Sequence, residues 1–253
     1  MARKRIDQLL VERGVFDSRS KARAAVEAGL VSVAGKVILK PAETVEKDVE
    51  IVAEAAHPWV GRGALKLVHA LDLWPIAVEG RVAVDVGAST GGFTEVMLSR
   101  GAARVFAVDV GREQLHAKLR GDPRVVELSG VDARALDDDL ISTPPALVVS
   151  DVSFISMIKA LPAALGLAEA GADLVALIKP QFEAGRGNVG KGGLVKDPET
   201  IARVEREVVD FLEASGWSMK GLAESPIYLP DGRTQKRFVR VCPDANGKYQ
   251  VVD

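Results

Sequence analysis

The sequence predicts an α/β protein: a Rossmann-like, doubly wound sheet, mostly parallel and closed by an antiparallel C-terminal hairpin, preceded by a small α+β module. Three observations predict it. From residue 64 onward, apolar strand-like runs alternate with helix-like ones, the pattern of a parallel sheet with crossover helices. Several of those runs end abruptly in glycine or a charged residue, as strands do where they deliver a site. The first 55 residues hold four short elements with little core of their own, and the first 40 of them are rich in basic residues. The expected division is a module over residues 1–55, a linker over 56–63 and the sheet domain over 64–253.

RIDQLLVERG places Ile6, Leu9, Leu10 and Val15 as the apolar side of a helix, with Gly14 as its C-cap. SRSKARAAVEAGL opens on Ser18 and Ser20, good N-cap residues, and turns Ala22, Ala25 and Val26 inward. VSVAGKVIL is a hairpin about Ala34-Gly35, and Asp48 to Val52 is a further extended stretch. In the linker AEAAHPWVGRG, Trp59 either stacks on a base or packs between the modules. PWVGRGALKLVHAL then gives a helix whose Ala64, Leu67, Val68 and Leu71 want a core, while Lys66 sits off that face. RVAVDVGA, RVFAVDVG, VVELSGVDA, ALVVSDVSF and DLVALIKP read as strands. TEVMLSRGA, LPAALGLAEAG and PETIARVEREVVDFLEASG read as helices, and GLAESPIYLPDGRTQKRFVRVC as the closing hairpin.

Composition removes several classes of function. The apolar share of 47% over 253 residues supports a real core, and the net charge of −2 marks the whole chain as neither a basic nor an acidic tail. Residues 1–40, however, carry nine Lys or Arg against four acids, an excess of five that suits a polyanion. A single cysteine, Cys242, excludes an intrachain disulfide, and with only three histidines no metal cluster is expected. No apolar run approaches the roughly 20 residues that span a bilayer, and no signal-peptide segment is visible. The expectation is a cytoplasmic monomer with no membrane role.

VDVGASTGGFTE is a strand, a glycine turn and a helix start, where bare backbone and free helix amides meet a ligand. A dinucleotide fingerprint reads G-x-G-x-x-G, whereas this loop reads G-x-S-x-G-G and lacks the second glycine needed beneath a pyrophosphate. Asp109 follows Gly87 by 22 residues, at a second strand end, where an acid accepts from both ribose hydroxyls. That acid suits a nicotinamide cofactor as well as S-adenosylmethionine; the loop favours S-adenosylmethionine. The candidate cofactor residues are Asp85, Gly87, Ala88, Ser89, Thr90, Gly91, Gly92, Phe93, Asp109, Val110 and Asp132. Asp132 either reaches an adenine amino group or caps a helix.

Asp151 and Lys179 each emerge from an apolar strand, opposite charges beside a methyl-donor loop. Methyl transfer from a sulfonium is an in-line displacement, so positioning matters most, but a ribose hydroxyl also needs a group that takes its proton. A lysine serves if burial and a second cation lower its pKa. The catalytic candidates are therefore Lys179, with Lys66 as the second cation and Asp151 holding both ammonium groups.

These motifs, VGRGALKL, VDVGASTGGFTE, SDVSFISM, LIKPQFEAGRG and GKGGLVKD in that order, resemble the TlyA (haemolysin-A-like) family, part of the FtsJ-like group of 2′-O-ribose methyltransferases, over nearly the whole chain. The resemblance implies an N-terminal RNA-binding module of the kind found in a small-subunit ribosomal protein, S-adenosylmethionine as cofactor, and ribosomal RNA or ribosomal subunits as partner. It also implies methylation of cytidine ribose 2′-hydroxyls. Lys66, Asp151 and Lys179 match the family's first three catalytic positions. The fourth, a glutamate on the last hairpin, is replaced by Gln235 or Lys236 in GRTQKRF, and Glu183 and Glu224 do not match the motif. Candidate RNA-binding residues are Arg3, Lys4, Arg5, Arg19, Lys21, Arg23, Arg62 and Arg186. The glycine-rich stretch 181–197 is expected to order around RNA, with Lys191 and Lys196 also facing phosphates. The missing glutamate keeps open a second reading: a non-catalytic rRNA-binding or ribosome-assembly factor.

Overall fold

The computed structural model describes residues 3–226 and 237–243, and the chain divides into two compact units, Met1–Arg62 and Gly63–Asp253. In the first unit, β1 (Arg3–Arg5) leads into α1 (Ile6–Glu12), followed by α2 (Arg19–Glu27), β2 (Val31–Val33), β3 (Lys36–Val37), β4 (Thr44–Glu46) and β5 (Ile51–Ala53). Ile6, Leu9 and Leu10 of α1 share one small core with Ala22, Ala25 and Val26 of α2. The Ser18 hydroxyl caps α2 by accepting from the Lys21 amide. β2 is the middle strand of an antiparallel sheet, β3-β2-β5, and β4 pairs with β1. The β2–β3 turn places Ala34 and Gly35 both at positive φ, 48° and 78°, the two-residue geometry whose twist matches a hairpin.

Three details depart from the sequence reading. Val15 lies beyond α1 and is 43% exposed, because the helix stops at Glu12 and Gly14, at φ 68°, turns the chain away. Of the extended stretch expected over Asp48–Val52, only Ile51 and Val52 lie in a strand, β5; Asp48 falls in the turn that follows β4. Strand β1 leaves no mark in the sequence, since three consecutive basic residues offer no apolar alternation to read.

The second unit contains α3 (Ala64–Leu73), β6 (Val82–Val86), α4 (Gly92–Ser99), β7 (Arg104–Asp109), α5 (Ala117–Arg120), β8 (Val125–Ser129), β9 (Leu147–Ser150), α6 (Met157–Ala160), α7 (Pro162–Gly166), β10 (Asp173–Ile178), α8 (Pro180–Glu183), α9 (Pro198–Ala214), β11 (Trp217–Glu224) and β12 (Arg237–Pro243). Its seven-stranded sheet has the order β11-β12-β10-β9-β6-β7-β8. The five strands from β10 to β8 are parallel, and β12 and β11 add an antiparallel hairpin at one edge. This is the doubly wound sheet and closing hairpin that the strand–helix alternation predicts. Strands buried on both faces explain why the runs read as continuously apolar.

Alternation along each strand divides the core. Val84, Val86, Val148, Ala176 and Ile178 face a cluster closed by Met157, Leu161, Leu165, Val204, Val208 and Leu212, from α6, the residue after it, α7 and α9. On the other face α4 packs on β6 and β7, and α3 packs on α4. The expected long helix at LPAALGLAEAG shrinks to the five-residue α7, consistent with the cost of carrying Gly166 through a helix interior. The chain runs from β6 outward through β7 and β8, then returns to the opposite side of β6 as β9. The reversal opens a crevice beyond the carboxyl ends of β6 and β9. Among the described residues, no helix is long and apolar enough to cross a membrane.

Candidate active site

The loop after β6 forms one wall of the crevice. Gly87 has φ 85°, and a Cβ there would stand 3.1 Å from the Val152 Cα, so the loop approaches the exit of β9 as only a glycine permits. Ser89 occupies the place of the fingerprint's second glycine and itself takes a left-handed φ of 48°. Its amide donates to Asp109 Oδ2 at 2.8 Å, and the Gly111 amide donates to Asp109 Oδ1 at 2.7 Å. Each Asp109 oxygen thus keeps acceptor capacity for a further donor.

A cleft of about 590 Å³ lies here, lined by Gly87, Ser89, Asp109, Val110, Asp132 and Asp151 from the sequence candidates. Gly111, Gln114, Arg134, Ser153 and Phe154 also line it, and sequence reasoning missed them as site residues. Asp85, Ala88, Thr90, Gly91, Gly92 and Phe93 are not part of the lining; they build and seat the loop. Asp85 and Phe93 are buried, and Gly91, at φ 90°, tucks so closely against Leu119 that a Cβ would collide. Asp85 Oδ2 accepts from the Thr94 hydroxyl at 2.7 Å, and burial pushes its carboxyl up to about 7. Asp132 both lines the cleft and caps the short 3₁₀ turn over Ala133–Ala135. Hydrogen bonds from Arg134 hold its carboxyl down to about 2. A glycine-rich loop, a carboxylate with spare acceptor sites at the second strand end and a cleft of this size fit the nucleoside of S-adenosylmethionine.

The three catalytic candidates meet. Lys66, on α3, is 7% exposed and pairs with Asp151 Oδ2; Lys179, at the end of β10, is 4% exposed and pairs with Asp151 Oδ1 at 2.6 Å. Lys179 Nζ also donates to the Asp151 carbonyl at 2.9 Å and to Ser153 Oγ at 2.8 Å. Asp151 and Lys179 come together because β9 and β10 are adjacent and parallel. Burial alone would push the Asp151 carboxyl up, but the two ammonium groups outweigh it and hold the carboxyl below its ordinary value. Burial also drives the Lys179 ammonium below its usual range; Asp151 opposes this and Lys66 adds to it. The fourth position, Gln235 or Lys236, lies outside the described residues.

A second cleft, of about 1010 Å³, adjoins the first and shares Arg134, Phe154 and Ile155 with it. Lys159, Phe182 and the predicted Arg186 line it too. The stretch 181–197 is ordered by α8, a 3₁₀ turn at Arg186–Asn188 and a bridge between Gly190 and Leu194; Lys191 and Lys196 are exposed. The signal for the missed aromatics was the pair of phenylalanines in SDVSF and KPQFE, polar sequences where a buried core position is not expected. Phe154 is 94% exposed with φ 66°.

In the first unit, the predicted basic residues are mostly engaged within the module. Arg5 and Arg19 both donate to the fully buried Asp7, at 2.9–3.0 Å. Lys4 pairs with Glu12 and Lys21 with Asp17, while Arg23 and Arg62 both reach Glu27 at 3.5 Å. Arg3 donates to the Thr44 carbonyl. The pairs at Glu12, Asp17 and Glu27 are exposed and contribute little, so phosphates can compete for their cations; the buried Asp7 pair is held more firmly.

Comparison with known proteins adds sequence kinship to this geometry. The family model described as FtsJ-like methyltransferase matches residues 59–238, and that of the S4 domain matches residues 4–51. The 16S/23S rRNA (cytidine-2'-O)-methyltransferase TlyA of Mycobacterium tuberculosis is 47% identical over 238 residues, covering 93% of this chain and 89% of that one. Hemolysin A of Brachyspira hyodysenteriae is 36% identical over 224 residues, covering 88% and 93%. A hemolysin-named protein of Streptococcus thermophilus, known from a solved structure, is 39% identical, with a TM-score of 0.73 over 95% of this chain and 88% of that one.

Proposed function

The chain belongs to the TlyA family of FtsJ-like methyltransferases, and from that premise we propose that it methylates the ribose 2′-hydroxyl of a cytidine in ribosomal RNA, using S-adenosylmethionine. One observation carries the reading beyond kinship: Lys66, Asp151 and Lys179 form a buried chain of alternating charge at the mouth of a nucleoside-sized cleft.

When bound, the cofactor supplies a methyl group already activated on a sulfonium. The chain's own residues have the remaining tasks. Asp109 accepts from the cofactor's ribose hydroxyls, and Asp132 from its adenine amino group. Lys179 takes the proton of the acceptor hydroxyl. Its ammonium lies against three oxygens, so it acts as a base only in the neutral form, which burial favours and in which its two N–H groups can still donate to these oxygens while the lone pair faces the acceptor hydroxyl. Lys66 keeps Asp151 charged and fixed. General-base assistance of this kind contributes on the order of 100- to 10,000-fold.

In this reading residues 1–55 are the RNA-binding module, 56–63 the linker and 64–253 the catalytic domain. Arg3, Lys4, Arg5, Arg19, Lys21, Arg23, Arg62 and Arg186 supply cations for phosphates. The protein works as a monomer in the cytoplasm, on ribosomal subunits. The test is transfer of tritiated methyl from S-adenosylmethionine to purified bacterial subunits, with the label mapped to cytidine ribose. Intact RNA binding without incorporation would make the chain a binding factor instead.

A further inference from the structure

We propose that Glu183 is a positioning residue for methyl transfer: it fastens the segment that carries Lys179 to the segment that carries Asp151. The inference rests on the methyltransferase reading of the site. Glu183 ends α8, four residues after Lys179. Its carboxylate accepts from the Ser156 hydroxyl at 2.5 Å and from the Met157 amide at 2.8 Å. Ser156 stands at the N-cap of α6, yet its own side chain caps nothing. The acid that satisfies this helix start therefore comes from a different segment, 26 residues on in the chain.

Residues 151–156 lie outside any strand or helix and include Phe154 at a left-handed φ of 66°, which this residue type adopts only under constraint. The segment is pinned at both ends by the chain that follows β10. Lys179 holds the near end through the Asp151 carbonyl and Ser153 Oγ, and Glu183 holds the far end. Between these pins the Phe154 and Phe182 rings meet at 5.3 Å. Among the described residues, Glu183 makes no hydrogen bond to Lys66 or Lys179, so it does not stand in for the family's fourth catalytic carboxylate; it acts through the placement of Asp151 and Lys179. A shift of about 1 Å in reacting groups costs on the order of 100-fold in rate, so a clamp in this place is a kinetic device.

The test compares Glu183→Ala, Glu183→Gln and Ser156→Ala in the full-length protein, with tritiated methyl donor and ribosomal subunits. Glu183→Ala is expected to lower kcat by about tenfold or more, with S-adenosylhomocysteine affinity within about twofold of wild type. Glu183→Gln restores most of the rate, because its amide oxygen accepts from Met157 and its N–H donates to Ser156. Ser156→Ala removes one of the two bonds and lowers kcat by less; it carries the kinetic test if Glu183→Ala does not fold. A kcat within twofold of wild type for Glu183→Ala, or equal damage in Glu183→Gln and Glu183→Ala, overturns the proposal. Hydrogen exchange over residues 151–160 reads the clamp without catalysis: faster exchange in Glu183→Ala, but not in Glu183→Gln, supports it, and unchanged exchange overturns it. A wild type that transfers no methyl group contradicts the methyltransferase reading instead, and the exchange measurement still decides whether Glu183 fastens the two segments.

Discussion

Lys179 Nζ is surrounded by two oxygens of Asp151 and the hydroxyl of Ser153, and that arrangement fixes what its loss should do. Lys179 does not itself line the cofactor cleft, so losing its side chain removes no direct contact with the cofactor. Lys179→Ala should therefore lower kcat by at least about 100-fold while leaving cofactor affinity, measured by titration calorimetry, within about twofold. A variant keeping more than about a tenth of the rate would show that the proton goes elsewhere. Asp85 gives a prediction of opposite kind, on stability. Its folded pKa of about 7 lies above the ordinary aspartate value of 3.8, so the native state binds its proton more tightly than the unfolded state does. Stability from this group is present below about pH 4 and is lost as pH rises toward 7. Asp85→Asn keeps an acceptor for Thr94, and its stability advantage over wild type should grow between about pH 5 and pH 8 in urea unfolding. A constant difference would mean that Asp85 is ionised in the fold. Lys66 shows how far sequence reaches at this scale. Its place shortly before the glycine loop and its match to the family motif mark it, but its burial follows from α3 turning it toward Asp151, 85 residues away. Ser153 and Glu183 were not legible as site residues, because their roles are defined by partners on other segments.

At the level of elements, the apolar runs announce β6, β7, β9 and β10 because these parallel strands bury both faces, so no solvent-facing alternation interrupts them; β8, at the sheet edge, is only half-buried. The cofactor loop was legible for a similar reason: glycines at 87 and 91 are required by positive φ and close approach. Short elements such as β1 and α5 were not legible, being settled by tertiary pairing rather than by local pattern. Helix α9 is the clearest case of local pattern and fold agreeing. Asp197 caps it, accepting from the Thr200 amide at 3.0 Å, and Val204, Val208 and Leu212 fall on one face, all fully buried. Leu212→Ala should cost about 2–5 kcal/mol in denaturant unfolding of the full chain, through lost burial and the cavity left under the sheet. Arg203→Ala, on the exposed side of the same helix, should leave the midpoint nearly unchanged. Equal effects from the two would mean that α9 is held by something other than its apolar face.

Across the whole molecule, charge is spread unevenly along the sequence: a chain of net charge −2 carries an excess of five positive charges in its first 40 residues. The long-range field of that end should govern encounter with RNA, and salt should weaken it. The structure decides which cations test this without disturbing the fold. Arg19 neutralises the buried Asp7 together with Arg5, so changing it would leave a buried carboxylate underpaired and confuse binding with stability. Arg23 and Arg62 are better probes, because their side chains are 55% and 42% exposed and both only reach Glu27 at 3.5 Å. Arg23→Gln combined with Arg62→Gln should weaken binding to ribosomal RNA and flatten the slope of log affinity against log salt by roughly 0.7 for each phosphate left without its arginine. Thermal unfolding should be unchanged, as exposed pairs contribute little. An unaltered salt slope would move the RNA surface to another face of the first unit, whereas weaker binding with the slope preserved would mean that these arginines act by shape rather than by charge.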